Sequence, residues 1–244
     1  SYSTVILELL DGCNIHCSTC VASSSPELSE IRSYETLIES IKSISKLPIP
    51  PAAVMLSGGE PSIHPRIMDI ITFADGCDFK HIFLITNGLR ISENEEFAKS
   101  LASFQKLEVY LQFDALESNA LLDIRGVDLR DTRLQAVKLL HRYNIPTTLV
   151  CVLKRGVNDF MIGHILDYAL SYPNIRGITF QPIRFLGRVD GSDPLRHSLS
   201  ISEVYHKVAN YLEGTGFKMQ PHPLSPGTIA IGYLHRFRNI DITQ

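Results

Sequence analysis

Short runs of β-branched and other apolar residues alternate with longer amphipathic stretches along almost the whole chain, and this alternation restricts the possible fold most strongly. Continuous apolar runs of this length are typical of parallel strands that are buried on both faces. Six successive βα units in one chain predict an α/β fold with a parallel sheet and right-handed crossovers. The predicted strands are Val5–Leu10, Ala53–Leu56, His81–Thr86, Leu107–Phe113, Thr147–Leu153 and Gly177–Gln181.

The stretches between these runs have helical periodicity, with one apolar face each. The predicted faces comprise Leu37, Ile38, Ile41 and Ile44, then Leu134, Val137 and Leu140, and then Ile162, Ile165, Leu166 and Ala169. Residues that commonly precede helices lie at the expected places, namely Ser33, Asp131, Asn158, and Ser200 with Glu203 in a capping-box pattern.

The length of the chain decides between a complete and a partial barrel. A complete eight-unit barrel takes about 250 residues, whereas six units and a tail account for the 244 residues here. We therefore predict a partial (βα)6 TIM-like barrel over residues 1–213. The βα rhythm is lost after Glu213, so residues 214–244 are predicted to form a short C-terminal extension packed on the barrel.

The net charge and the distribution of cysteines limit which partners the protein can bind and in which cellular compartment it is expected. The net charge of −3 and the pI near 6.3 argue against a nucleic-acid partner, which requires a basic surface. No apolar run approaches the roughly 18 residues of a membrane-spanning helix, and the first residues lack the basic leader of a signal peptide. Three of the five cysteines are clustered, while Cys77 and Cys151 are isolated and expected to be buried apolar residues. We therefore expect a cytoplasmic protein with no membrane span.

The clustered cysteines, Cys13, Cys17 and Cys20, follow the first predicted strand directly. Loops after the strands form the catalytic face of a βα barrel. Three thiolates can bind three irons of a [4Fe-4S] cluster and leave the fourth iron open to a ligand. The alternative is a zinc site with His16 as fourth ligand, which the spacing disfavours because His16 lies inside the loop.

Further polar residues and glycines lie at or just after the ends of the next three predicted strands, at the edge of the sheet where the cysteines are expected. They are Gly58, Gly59 and Glu60, then Asn87, then Gln112 and Asp114, and Arg125 in the next loop. Glycines allow a ligand to approach the backbone closely, a glutamate accepts hydrogen bonds from an ammonium group, and an arginine fork suits a carboxylate. Each also has a simpler interpretation: turns at Gly58–Gly59 and Asn87, a loop or cap aspartate, and a surface arginine.

Together these motifs resemble the radical S-adenosylmethionine (SAM) superfamily, in its cysteine spacing and in Gly58-Gly59-Glu60-Pro61. From Tyr110 onward the sequence is most similar to the branch with dihydropterin methylases and tetraether lipid synthases. The resemblance implies that Cys13, Cys17 and Cys20 hold the cluster and bear the catalytic chemistry. It implies a SAM site formed by Gly58, Gly59, Glu60, Asn87, Gln112, Asp114 and Arg125, with Glu60 on the amino group, Arg125 on the carboxylate, and Gln112 and Asp114 on the ribose.

Two positions depart from the family pattern. Thr19 stands before the third cysteine, where an aromatic residue is common. Members of the branch carry further cysteines near a segment like that around Ser225, whereas Cys77 and Cys151 are too few to form a second four-ligand cluster. Chemistry that depends on auxiliary clusters is therefore not expected from these 244 residues.

The resemblance implies reductive cleavage of SAM to a 5′-deoxyadenosyl radical, which abstracts hydrogen from an organic substrate for methylation, alkylation or carbon–carbon bond formation. The expected partners are a small-molecule or lipid-like substrate and an electron donor such as flavodoxin or ferredoxin. Gln181 and Arg188, after the sixth predicted strand, are the candidates for substrate contact. The alternative function is that of a non-catalytic SAM- and iron–sulfur-binding sensor or partner protein.

Overall fold

The computed structural model describes residues 4–215. Its strands are β1 (Thr4–Glu8), β2 (Thr19–Cys20), β3 (Ala53–Ser57), β4 (His81–Thr86), β5 (Leu107–Gln112), β6 (Thr147–Leu153), β7 (Ile175–Pro182) and β8 (Arg188–Val189). Its α-helices are α1 (Tyr34–Ser45), α2 (Ile67–Asp75), α3 (Leu89–Glu93), α4 (Glu95–Leu101), α5 (Ser118–Arg125), α6 (Arg130–Arg142), α7 (Ile162–Leu170), α8 (Pro194–His197) and α9 (Ile201–Gly214), with a 3₁₀ turn at Pro61–Ile63. All six predicted strands are present. Of the predicted extension, residues 214–244, the part after residue 215 lies outside the described residues.

Six of the strands form one parallel sheet in the order β1-β3-β4-β5-β6-β7. Since these strands follow the chain in sequence, right-handed crossovers bring every connecting helix to the same face of the sheet. The sheet therefore curls as an incomplete barrel with β1 and β7 at its two edges. The predicted α/β partial barrel is confirmed.

The core lies between this sheet and its helices. Leu7, Leu56, Leu84 and Val109 are paired across β1, β3, β4 and β5, and each is buried. Their neighbours along the strands alternate to the other face, as the period of a strand requires. The outer face of the sheet and the helices thus share one continuous apolar core.

The inner face of the sheet is less buried than its apolar sequence predicts. Ile6 is 63% exposed, and Phe83 and Tyr110 are half-buried, with their rings 4.6 Å apart. The expectation of strands buried on both faces is wrong for the described residues. The physical reason is that six strands do not close a barrel, so the described residues leave part of its inner face exposed.

Helix starts agree with the sequence at two of four places. Ser33 caps α1, and Ser200 and Glu203 form the predicted capping box at α9. Asp131 instead lies within the first turn of α6. Asn158 precedes α7 by four residues, and its amide donates to the carbonyls of β6 and the loop after β5. Within residues 4–215, no helix has the length and apolar character to cross a bilayer.

A second, two-stranded sheet was not predicted. β2 and β8 pair antiparallel, with Thr19 opposite Val189 and Cys20 opposite Arg188. This short ladder joins the loop after β1 to the loop after β7, and therefore connects the two edges of the incomplete barrel.

Candidate SAM and cluster site

The cysteine loop follows β1 and is held from two sides. The Cys13 N–H donates to the Ser25 carbonyl at 3.1 Å, and the Glu60 N–H donates to the Gly12 carbonyl at 3.0 Å. Cys17 is buried, while Cys13 and Cys20 are half-buried. The loop therefore presents three thiols at the carboxyl-terminal edge of the sheet.

The three thiols share one cleft of about 460 Å³, a volume that includes open solvent at its mouth. It is lined by Cys13, Ile15, Cys17, Cys20, Ser24, Gly59, Glu60, Ile85, Thr86, Asn87, Gln112 and Arg125. Eight of the ten predicted cluster and cofactor-binding residues thus line the same cleft, namely the three cysteines, Gly59, Glu60, Asn87, Gln112 and Arg125. Gly58 and Asp114 do not line it.

Glu60 connects the ends of β3 and β4 across the floor of the cleft. Its Oε1 accepts hydrogen bonds from the Thr86 hydroxyl at 2.7 Å and the Ser62 N–H at 3.1 Å, and its Oε2 accepts from the Asn87 N–H at 2.7 Å. Burial raises the pKa of Glu60, although these three donors oppose the shift. Because a carboxylate has about four acceptor positions, Glu60 keeps about one for a further donor.

The glycine pair before Glu60 contacts the cysteine loop. Gly58 has φ +127°, and a Cβ atom there would overlap the carbonyl of Leu10, while a Cβ at Gly59 would overlap that of Gly12. The Gly59 N–H also donates to the Leu10 carbonyl at 2.8 Å. The glycines therefore allow close packing of two protein loops, rather than the approach of a ligand at Gly58 that the sequence predicted.

Asn87 connects β4 to the cysteine loop. Its Nδ2 donates to the Asn14 side-chain oxygen at 2.7 Å and lies 4.0 Å from the Cys13 sulfur. Its Oδ1 accepts from the Leu89 N–H at 3.0 Å at the start of α3. Asn87 is thus both a helix-start residue and a part of the cleft wall.

A buried charged cluster lies behind the cleft. Asp114 receives two hydrogen bonds from Arg125, at 2.7 and 2.8 Å, one from Arg133 at 2.9 Å and one from the Val152 N–H at 3.0 Å. Burial alone would raise the pKa of Asp114, but the two guanidinium charges outweigh it and hold the pKa below its ordinary value. We call Asp114, Arg125 and Arg133 the charged triad.

This arrangement changes the role expected for Asp114. All four acceptor positions of its carboxylate are used, and its side chain is fully buried. Asp114 therefore has no acceptor left for a ribose hydroxyl. Gln112 does line the cleft, and its Oε1 accepts from Arg133 at 2.6 Å.

Arg125 joins the charged triad to the cysteine loop. Besides its two bonds to Asp114, it donates to the Thr19 carbonyl at 3.1 Å and to the Cys17 side chain, which leaves one of its five N–H groups. Its charge also acts on the Cys17 thiol, whose pKa is raised by burial and lowered in part by Arg125. Arg125 thus retains one N–H donor beside the cleft that this residue lines.

The two predicted substrate residues occupy different places. Gln181 lies on the edge strand β7, is exposed and is paired in register with Val152. Arg188 donates to the backbone of the cysteine loop, with its Nε 2.6 Å from the Cys17 carbonyl. Neither residue lines the cleft, and the contacts of Arg188 are those of a loop anchor.

The thiols and the charged groups near them suit an iron–sulfur cluster, which is bound through its irons and carries negative charge together with its thiolates. Burial, with smaller contributions from the nearby Glu60 and the other two thiols, raises the pKa of Cys13 to about 11. Metal binding supplies the positive charge that lets such thiols ionise. Behind them the charged triad has one positive charge in excess, and the buried Nε of Arg133 has no partner among the described residues. Cys13, Cys17 and Cys20 would hold the cluster.

The zinc alternative is not supported by this arrangement. Within residues 4–215, no three His, Cys, Asp or Glu side chains converge on a position that suits one metal ion. His16 is exposed. Zinc requires ligands that surround a single ion, whereas in a cubane cluster each thiolate binds a different iron.

Arg133 and Arg188 carry contacts that the sequence did not reveal. Arg133 lies four residues before Val137 on the apolar face of α6 and is 1% exposed. A charged residue on an apolar helix face was the available signal, since such residues are almost never buried without partners. For Arg188 the pairing with the cysteine loop is non-local and had no local signal.

The partial barrel and the cleft with its three cysteines together indicate one class of protein. A family model of the radical SAM superfamily matches residues 7–169, and the chain belongs to this superfamily. The carboxyl-terminal edge of its partial barrel carries the three clustered cysteines, and the predicted family is confirmed.

Two proteins of known activity are similar to this chain in sequence. The chain is 32% identical over 221 residues to 7,8-dihydro-6-hydroxymethylpterin dimethyltransferase of Methanocaldococcus jannaschii, covering 87% of this chain and 43% of that protein. It is 26% identical over 164 residues to GTP 3′,8-cyclase of Synechocystis sp., covering 67% of this chain and 49% of that protein. The chain therefore spans about half the length of these relatives.

Solved structures support the fold. Streptococcus suis SuiB bound to S-adenosylmethionine superposes with a TM-score of 0.72 at 14% identity, over 88% of this chain and 48% of that one. The anSMEcpe structure with bound AdoMet and Cp18Cys peptide gives 0.63 at 20% identity, over 88% and 60%. At these identities the similarity shows the shared fold alone.

Proposed function

We propose that this protein is a radical SAM enzyme that holds a [4Fe-4S] cluster on Cys13, Cys17 and Cys20 and binds SAM in the adjoining cleft. One observation carries the proposal. The three thiols share a single cleft with Glu60 and Arg125, although the cysteine loop, Glu60 and Arg125 are far apart in sequence. Membership in the superfamily supplies the class of chemistry.

The cluster held by Cys13, Cys17 and Cys20 would, when reduced, supply the electron for cleavage of SAM to methionine and a 5′-deoxyadenosyl radical, which would abstract hydrogen from an organic substrate. The contribution of the protein is orientation. Glu60 has an acceptor position for an ammonium group, and Arg125 has a remaining N–H donor and a positive charge for a carboxylate. Glu60 accepts from the Asn87 N–H and its charge acts on Cys13, whereas Arg125 donates to the Thr19 carbonyl and its charge acts on Cys17.

Gln112 is the residue that we propose for a ribose hydroxyl. It lines the cleft, and Arg133 holds its side-chain oxygen at 2.6 Å, which leaves the amide N–H groups as donors. Ile15 and Ile85 supply apolar cleft surface, which suits an adenine ring, since cofactor sites combine apolar walls with a few polar groups.

For the substrate we propose a small fused heterocycle of the dihydropterin class, with transfer of a methyl or alkyl group or formation of a carbon–carbon bond. The proposal is supported by the name of the relative at 32% identity. The second relative is named for GTP, whose guanine shares the 2-amino-4-oxopyrimidine ring of a pterin. The open, half-apolar inner face with Phe83 and Tyr110 suits a flat ring. We further propose a flavodoxin or ferredoxin as the electron donor and a cytoplasmic location.

The proposal is tested by formation of 5′-deoxyadenosine. The full chain is reconstituted anaerobically with iron and sulfide, reduced with dithionite, and incubated with SAM, with and without 7,8-dihydro-6-hydroxymethylpterin. We expect chromatography to detect 5′-deoxyadenosine, and the pterin to increase its rate of formation. Cys17→Ala should abolish the product. Cys77→Ala is the matched control. Cys77 does not line the cleft, and its thiol donates a hydrogen bond to the Phe73 carbonyl, four residues earlier in the chain.

A cluster-loaded protein that binds SAM and forms no 5′-deoxyadenosine under either condition would contradict the enzymatic proposal and favour the sensor. Product with SAM alone and no response to the pterin would retain the radical chemistry and overturn the substrate class.

A further inference from the structure

The two edges of the incomplete barrel are connected at its mouth, and the connection ends on the cysteine loop. β8 follows the edge strand β7 and pairs with β2, which contains Cys20. Beside this ladder, the Asp190 N–H donates to the Ser18 carbonyl at 2.8 Å. The loop after the last strand of the sheet therefore contacts the segment that carries two of the three thiols.

Arg188 is the centre of this contact. Its Nε donates to the Cys17 carbonyl at 2.6 Å, its Nη2 to the Ser24 carbonyl at 2.5 Å and its Nη1 to the Ser23 carbonyl at 3.4 Å. One guanidinium thus binds carbonyls on both sides of Cys20. Only arginine has a planar set of donors that reaches several acceptors in fixed directions.

Gly187, next to Arg188, independently supports a specific contact between this loop and the cysteine loop. Its φ is +66°, a conformation that residues with a side chain rarely adopt. A Cβ atom at this position would lie 2.5 Å from the Cys20 carbonyl and would overlap the Val21 carbonyl. The backbone before Arg188 therefore approaches the cysteine loop at a distance that glycine alone permits.

We infer that Arg188 is a positioning residue for the iron–sulfur cluster. It acts through the backbone of residues 17–24 and holds the Cys17 and Cys20 thiols at their separation. The inference rests on the proposed function in one respect, that these cysteines bind the cluster. It replaces the substrate contact expected for Arg188, because all three nitrogens of its guanidinium already donate to the cysteine loop.

The test compares cluster retention in full-length variants after anaerobic reconstitution. The rate of cluster loss to an iron chelator is followed by visible absorbance, and the reduced cluster is examined by electron paramagnetic resonance with and without SAM. Arg188→Ala should lose its cluster at least about tenfold faster than the wild type, since hydrogen bonds from charged donors are among the stronger ones. It should also have an altered resonance spectrum. Arg188→Lys should give an intermediate rate, because an ammonium cannot reach three carbonyls.

Arg184→Ala is the matched control, because Arg184 is an exposed arginine of the same loop, and it should behave as the wild type. If Arg188→Ala fails to fold, Gly187→Ala carries the test with Arg188 intact, and faster cluster loss is again expected. Wild-type rates and spectra in a folded Arg188→Ala or Gly187→Ala protein would overturn the inference. A wild-type chain that assembles no cluster would instead overturn the proposed function.

Discussion

Two buried carboxylates near the mouth of the barrel have opposite surroundings. Glu60 accepts three hydrogen bonds, all from uncharged donors, and lines the cleft. Asp114 accepts four, three of them from the guanidinium groups of Arg125 and Arg133, and does not line it. Accordingly, burial raises the pKa of Glu60, whereas the guanidinium charges keep the pKa of Asp114 low in spite of burial.

The difference shows what makes a carboxylate at a strand end available to a ligand. A carboxylate with neutral donors keeps a charge that a cationic group can neutralise, and Glu60 also keeps an acceptor position for it. A carboxylate saturated by two arginines is part of the scaffold, and it instead fixes the arginine that faces the cleft. Glu60 is therefore the binding group, and Asp114 is the residue that orients Arg125.

The comparison of the two carboxylates is tested first by a change at Asp114, for which we expect the largest effect, a loss of stability. Asp114→Asn leaves Arg125 and Arg133 buried without a countercharge, so the free energy of unfolding should fall by about 3–5 kcal/mol. Urea denaturation of the anaerobic protein measures it. Asp78→Asn is the control, because Asp78 is exposed in the loop before β4, and it should change stability little. A stability loss no larger than that of the control would show that the charged triad is not a structural unit.

The same variant has a predictable pH dependence. Asp114 has a folded-state pKa below its ordinary 3.8, so its stabilisation is complete above the unfolded-state pKa and is lost as pH falls through the folded-state pKa. The difference in unfolding free energy between wild type and Asp114→Asn should therefore stay constant from neutral pH down to about pH 5 and narrow in more acidic solution.

A smaller effect is expected at Glu60, and it should appear in ligand binding. Glu60→Gln removes the negative charge proposed to face the SAM ammonium group and places an amide N–H₂ against a backbone N–H. Hydrogen bonds to charged groups contribute about 1.5–3 kcal/mol, so SAM affinity should fall roughly ten- to a hundredfold. Calorimetry on the anaerobic, cluster-loaded protein measures this, and the iron content should stay unchanged.

Glu39→Gln, an exposed change on α1, is the control for Glu60→Gln and should bind SAM as the wild type does. If Glu60→Gln also binds SAM with wild-type affinity, Glu60 is only a brace between β3 and β4. The distinction between a binding and a scaffold carboxylate would then be lost.

The sequence predicted the parts of this molecule that depend on local pattern. All six strands of the sheet and the cysteine loop follow from apolar periodicity and from residue spacing. Partners that are distant in sequence had no such signal: Arg133 completes the charged triad from a helix, and Arg188 reaches the Cys17 carbonyl across 171 positions. The placement of Asp114 was misjudged for the same reason, because a polar residue after a strand is compatible with both a ligand and an ion pair.

The central claim is that Cys13, Cys17 and Cys20 alone hold a cluster with an open iron. Iron and acid-labile sulfide per chain in the anaerobically reconstituted protein test it most directly. We predict a brown protein with about four irons and four sulfides, colourless after Cys13→Ala, Cys17→Ala or Cys20→Ala and still brown after Cys77→Ala or Cys151→Ala. Stoichiometric zinc without visible absorbance, or an iron content that survives loss of any of the three cysteines, would contradict the account.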